Sequence, residues 1–199
     1  MLLRSIVSLS FAMVAGSALA VTAGNAAPDF SVADSNGKTV KLSDYKGKFV
    51  VLEWTNPECP FVRAQYGADA MQALQKDASG KDVVWLTVNS TNKSSSEYKT
   101  GPQMNAWMKE NNAAQRAILI DATSDAGRAY DAKTTPHMFV IDPAGKIVYA
   151  GAIDDKRSAR ESDRKTANNY VRAALNEATA GKPVTVANTT PYGCSVKYD

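Results

Sequence analysis

Phe49-Val50-Val51-Leu52-Glu53-Trp54-Thr55-Asn56-Pro57-Glu58-Cys59-Pro60-Phe61-Val62 is the stretch on which the fold turns. Its first half is a near-continuous apolar run, the mark of a strand buried on both faces. Its second half leads into helical spacing, with apolar positions at Phe61, Ala64, Ala68, Met71 and Leu74. The spacing predicts one helix from about Pro60 to Ala78, closed by Ser79-Gly80-Lys81. Pro60 suits a first helical position, where a backbone N–H is not needed. Cys59 therefore sits between a core strand and a helix start. Unpaired N–H groups and the helix dipole favour a negative sulfur there, and the thiolate is the nucleophilic form.

Working outward, Ala27 to Leu42 reads as a β-hairpin around Asp34-Ser35-Asn36-Gly37-Lys38. Val83 to Val88 is a second buried strand, and Pro102 to Asn111 a helix whose Met104, Trp107 and Met108 read as core packing. Ala117 to Asp121 is a short strand, followed by a short helix over 124–130 with Ser124 as its N-cap. His137–Ile141 and Lys146–Ala150 flank Asp142-Pro143-Ala144-Gly145, an antiparallel hairpin. A last helix is expected over roughly Ala159 to Ala180, then a tail over 184–199 containing Pro191-Tyr192-Gly193-Cys194. Strands alternating with helices predict an α/β fold, a central mixed sheet flanked by helices with an N-terminal hairpin extension. The mixed-sign run around Asp154 to Lys165 reads as a solvated face.

Met1-Leu2-Leu3-Arg4, a mostly apolar stretch to Ala15 and Ala18-Leu19-Ala20 form a secretory signal pattern with an A-x-A cleavage site. Residues 1–20 are expected to be removed, leaving one domain over 21–199 exported to a periplasm or the exterior. The formal charge of +3 on 199 residues is too small to imply nucleic acid or an anionic membrane surface. Two cysteines, Cys59 and Cys194, cannot make a disulfide-dense scaffold or a four-cysteine zinc site. Three states of the pair stay open: a permanent staple, a redox-active couple, or two separate thiols. A staple across more than a hundred residues would stabilise the fold by about 4–5 kcal/mol in the chain-entropy model.

The order of these parts resembles the thioredoxin-fold redoxin group, peroxiredoxin-like proteins of alkyl hydroperoxide reductase/thiol-specific antioxidant type and thiol–disulfide oxidoreductases. Ala27-Pro28-Asp29-Phe30, Asn36-Gly37-Lys38 and Leu42 to Lys48 look like that group's N-terminal extension, and Thr134-Thr135-Pro136-His137 like its cis-proline landmark. The resemblance implies a thioredoxin-like fold and redox chemistry at Cys59, with Cys194 as a resolving thiol. It also implies a cis-proline loop facing the sulfur, with Thr135 and Pro136 as a substrate-binding edge, so His137 reads either as a thiolate stabiliser or proton relay or as a packed strand histidine with a satisfied hydrogen bond. Trp54 and Pro60 flank the thiol in sequence, and Trp54 reads either as a wall of the site or as core packing. Two positions depart from the group. Val62 stands where a thioredoxin has its second cysteine, and Asn56 and Leu52 stand where a peroxidatic site has Thr and Pro.

The leading expectation is an exported thiol–disulfide oxidoreductase acting on a protein or small-molecule disulfide or thiol, with a redox partner protein. A thiol peroxidase acting on peroxide and a non-catalytic module with a structural Cys59–Cys194 bond are the rivals. No cofactor is expected. Cys59, Cys194 and His137 could also be read as soft metal ligands, but no metal site is expected with one cysteine at the helix start.

Overall fold

The protein is described by a computed structural model covering residues 21–198. The expected signal segment, 1–20, lies outside these residues. The chain opens with a hairpin of β1 (Ser31–Ala33) and β2 (Thr39–Lys41). The central sheet holds β3 (Val50–Trp54), β4 (Val84–Asn89), β5 (Ala117–Ile120), β7 (His137–Ile141) and β8 (Ile147–Gly151). Its order is β5-β4-β3-β7-β8. β3 runs parallel to β4 and antiparallel to β7. The sheet is mixed, as the sequence predicts. Between β5 and β7 lie α4 (Asp125–Ala129) and β6 (Thr134–Thr135). The tail ends in β9 (Cys194–Ser195), which pairs antiparallel with β6.

Side chains alternate across a strand, so β3 and β7 divide the interior in two. Val51, Met138 and Val140 face a core that includes Cys59, Val62, Met71 and Tyr192. Leu52, Trp54, Phe139 and Ile141 face a second core with Phe30 and Tyr130. The first core is covered by α1 (Pro60–Gly67), α2 (Ala70–Ser79), α3 (Gly101–Glu110) and α5 (Tyr170–Thr179). Met104 and Met108 of α3 are buried there, which is the packing role read from their spacing.

Three local expectations are corrected. The helix predicted over 60–78 breaks at Ala68-Asp69, where Asp69 adopts a left-handed φ of 55°. The break frees the Tyr66 carbonyl, which accepts from Asp69 N at 3.1 Å and Gln72 Nε2 at 2.8 Å. The helix predicted over 159–180 is a 3-10 segment at Glu161–Thr166, a short extended link, and then α5. Asn169 caps α5 by accepting from Arg172 N at 2.8 Å, so the helix begins at Tyr170 rather than near Ala159. Ser124 occupies the N-cap position of α4 as expected, but its side chain makes no capping bond. Its hydroxyl donates to Ser90 O, while the Asp121 carboxylate accepts from Gly127 N at 2.8 Å.

Candidate active site

The segment after β3 is shaped by its own polar residues. Asn56 Oδ1 accepts from Glu58 N at 2.8 Å, and Asn56 O accepts from Cys59 N at 3.0 Å. This turn delivers Cys59 to the N-cap position of α1, with Pro60 in the first turn. Pro60 is exposed at that position, beside the thiol as expected. Arg63 N then donates to Cys59 O at 2.9 Å and starts the helix ladder.

The sulfur itself is not open to solvent. Cys59 is 1% exposed despite its place at the helix start. Its Sγ donates to Thr135 O at 2.9 Å. The covering comes from the tail. Cys194 is the register partner of Thr135 across β6 and β9. Both sulfurs are free thiols, and Cys194 is half-buried on the strand paired with Thr135. Burial, then the neighbouring Cys59 thiol, push the Cys194 thiol up to about 12.

The Thr135–Pro136 peptide is cis, as the landmark implies. The main chain of Thr135 is occupied: its carbonyl takes the Cys59 thiol and its strand is paired with the tail. His137 and Trp54 take the packing alternatives rather than the site roles. His137 and Trp54 share the second face of the sheet, away from the sulfurs. His137 stacks on Phe139 at 4.5 Å, and its Nδ1 accepts from Lys133 N at 3.2 Å. Burial, then the Lys133 charge, push its imidazole down to about 3, so the ring is neutral and supplies no cation to a thiolate. The pleat, not the neighbouring Pro136, decides which way this ring points. Trp54 packs on Tyr130 at 5.1 Å and donates through Nε1 to Ser90 Oγ at 3.0 Å. It is a core residue of the far side rather than a wall of the thiol site.

Charges at the rim are paired. Glu58 accepts from Lys99 at 2.7 Å and Arg63 at 2.5 Å, and the Lys99 bond leads the causes that hold its carboxyl below the usual range. Among the described residues no three His, Cys, Asp or Glu side chains group to hold a metal ion. Among the described residues no helix is long and apolar enough to cross a membrane. A cleft of 620 Å³ lined by Lys46, Lys48, Gln115 and Arg116 opens at the opposite end of the sheet and contains neither sulfur.

Sequence reasoning passed over Glu53. It points to the same face of β3 as the Cys59 core and is fully buried. Its carboxyl accepts from Tyr66 OH at 3.0 Å, Trp85 Nε1 at 2.8 Å, Thr87 Oγ1 at 3.1 Å and Gln75 Nε2 at 3.3 Å. Burial outweighs these four donors and raises the carboxyl from 4.5 to about 7. The signal was available: one acid inside an otherwise apolar strand.

The shift gives a stability prediction. In the unfolded chain Glu53 ionises near 4.5, in the folded protein near 7. Between those values the native state holds more protons, so stability falls as pH rises. The contribution is complete below the lower value and is lost as pH passes the upper one, about 3 kcal/mol in all. Denaturant titrations at pH 4.5 and pH 8 are expected to differ by about that amount, and Glu53→Gln is expected to flatten the difference. An unchanged slope in Glu53→Gln would assign the pH dependence to another group.

Comparison with known proteins gives consistent matches. A family model described as AhpC/TSA family matches residues 23–150. The thiol-disulfide oxidoreductase ResA of Bacillus subtilis (strain 168) is 27% identical over 128 residues, covering 64% of this chain and 66% of that protein. The chain thus spans about two thirds of that relative's length. The thioredoxin-like protein YneN of the same organism is 30% identical over 142 residues, 70% of this chain and 78% of the other. A crystal structure of an uncharacterized conserved protein from Geobacillus kaustophilus superposes with a TM-score of 0.77 at 28% identity, covering 90% of this chain and 93% of that one. The fold is thioredoxin-like, with its central mixed sheet of five strands and the cysteine at the start of α1.

Proposed function

The chain belongs to the AhpC/TSA family, and on that premise we propose that it is an exported thiol–disulfide oxidoreductase whose redox couple is Cys59 and Cys194. The observation that carries this reading is Cys194 placed on a strand in register with Thr135, the residue whose carbonyl accepts the Cys59 thiol. In the reductive direction the Cys59 thiolate attacks one sulfur of a substrate disulfide, forming a mixed disulfide and freeing one substrate thiolate. Cys194 attacks Cys59 Sγ, its proton passing to the substrate sulfur that is expelled as the mixed disulfide breaks. The second substrate thiol leaves, and a Cys59–Cys194 bond remains. The substrate gains the two electrons that the pair loses. A partner dithiol reverses the last steps and restores the enzyme. The substrate class is a disulfide-bearing protein or small molecule, in keeping with the ResA relative. The A-x-A pattern ending at Ala20 supports export to a compartment where such substrates persist.

The test is peptide mass mapping of alkylated protein equilibrated at fixed glutathione ratios. The expected result is a Cys59–Cys194 link that forms in oxidising mixtures and reopens under a mild dithiol. A link that resists reduction below about −300 mV would instead be a structural staple. Stopped-flow peroxide consumption well above the free-cysteine rate would transfer the protein to the peroxidase class.

A further inference from the structure

Four polar side chains with no part in the exchange steps meet in the interior. Asp154, on the loop after β8, accepts from Gln65 Nε2 at 2.7 Å, Arg164 Nη1 at 2.8 Å and Tyr192 OH at 2.5 Å. Arg164 Nη1 also donates to Tyr192 OH at 3.0 Å, and its Nη2 donates to the carbonyls of Lys156 and Ser158. The side chains of Asp154 and Arg164 are each only 2% exposed. Arg164 falls in a mixed-charge run that reads as a solvated face. It leaves that surface because the 3-10 segment turns it inward.

A buried ion pair is a poor way to gain stability, because desolvating both charges offsets most of their attraction. Directional bonds, by contrast, specify one geometry. Here the geometry concerns the tail. Tyr192 precedes Cys194 by two residues, and Phe61 follows Cys59 by two. Their rings meet edge to face at 5.8 Å. The two cysteine segments therefore touch through this aromatic pair, and the Tyr192 hydroxyl is the point at which the body of the fold grips the tail.

We propose that Tyr192, Asp154 and Arg164 are positioning residues for the thiol pair, fixing the tail so that Cys194 is held against Cys59 for S–S bond formation. This rests on the redox couple proposed above. The cluster touches neither sulfur. It acts by raising the effective concentration of one thiol at the other, which is what a held geometry contributes to an intramolecular step.

The test uses Tyr192→Phe in the otherwise intact protein, with glutathione disulfide as the oxidant. The two protein thiols lose two protons and two electrons, one S–S bond forms between them, and glutathione disulfide becomes two glutathiones. The phenyl ring keeps the Phe61 contact, so the variant loses only the hydroxyl's bonds. The equilibrium constant for Cys59–Cys194 formation is expected to fall roughly 10-fold or more. Ile118→Val, a mild core truncation on β5, serves as the control. It is expected to lower the Tm while leaving that constant within about twofold. If Tyr192→Phe lowers the Tm yet also leaves the constant within about twofold, the cluster is a structural tether and the proposal is overturned. If the wild-type protein forms no Cys59–Cys194 bond at any glutathione ratio, the couple itself fails and the assigned task of the cluster falls with it. The first failure leaves the redox couple standing and the second does not, so the two are distinguishable.

Discussion

Cys59→Ser is expected to abolish thiol–disulfide turnover, with a loss of at least about 1,000-fold against a disulfide reporter. A serine oxygen cannot form the mixed disulfide, and Cys194 alone has no partner to resolve one. The loss should come without collapse of the fold, because Ser is nearly isosteric and its hydroxyl can still donate to Thr135 O, as the thiol does. Trapping adds resolution to the same experiment. Cys59 is 1% exposed and Cys194 half-buried, so the two sulfurs differ in what can reach them. Incubating Cys194→Ser with glutathione disulfide should accumulate a mixed disulfide on Cys59, at a rate limited by movement of the covering strand. Turnover by Cys59→Ser within tenfold of wild type would remove Cys59 from the mechanism.

Gly193→Val is expected to slow formation of the Cys59–Cys194 bond by about 100-fold, by lifting the tail off its seat. Gly193 has φ of 139°, where a side chain is strained by about 1–3 kcal/mol. A Cβ there would also run into the Thr135 carbonyl oxygen, the acceptor of the Cys59 thiol. The β6–β9 pairing cannot survive that collision unchanged. Two consequences separate displacement of the tail from general destabilisation. Iodoacetamide should label Cys59 faster than in wild type, since its cover is gone. The Cys194 thiol, no longer buried against Cys59, should titrate well below the value of about 12 that it has in place. Wild-type rates of disulfide formation in this variant would show that the tail does not need its present register.

How much could be read beforehand depended on the range of the interactions involved. The strand at Val50–Trp54, the hairpin at Asp142–Gly145 and the core role of Met104 and Met108 follow from periodicity and turn chemistry, which act over a few residues. The helix breaks at Asp69 and Ala167 did not, because the partners that satisfy the freed groups, such as Gln72 and Asp155, enter from neighbouring turns and distant loops. Which of its two readings His137 takes was settled by pairing: it is the register partner of Trp54 on β3 and shares that residue's face of the sheet.

The amino-acid order alone fixed the class of fold and the thiol at the start of a helix, because each follows from local patterns. Which sulfur is covered, which side of the sheet His137 and Trp54 face, and the burial of Glu53, Asp154 and Arg164 were decided only in three dimensions. Those properties depend on contacts between segments far apart in the chain, above all the return of the tail across β6, and no local spacing encodes where a returning strand will lie.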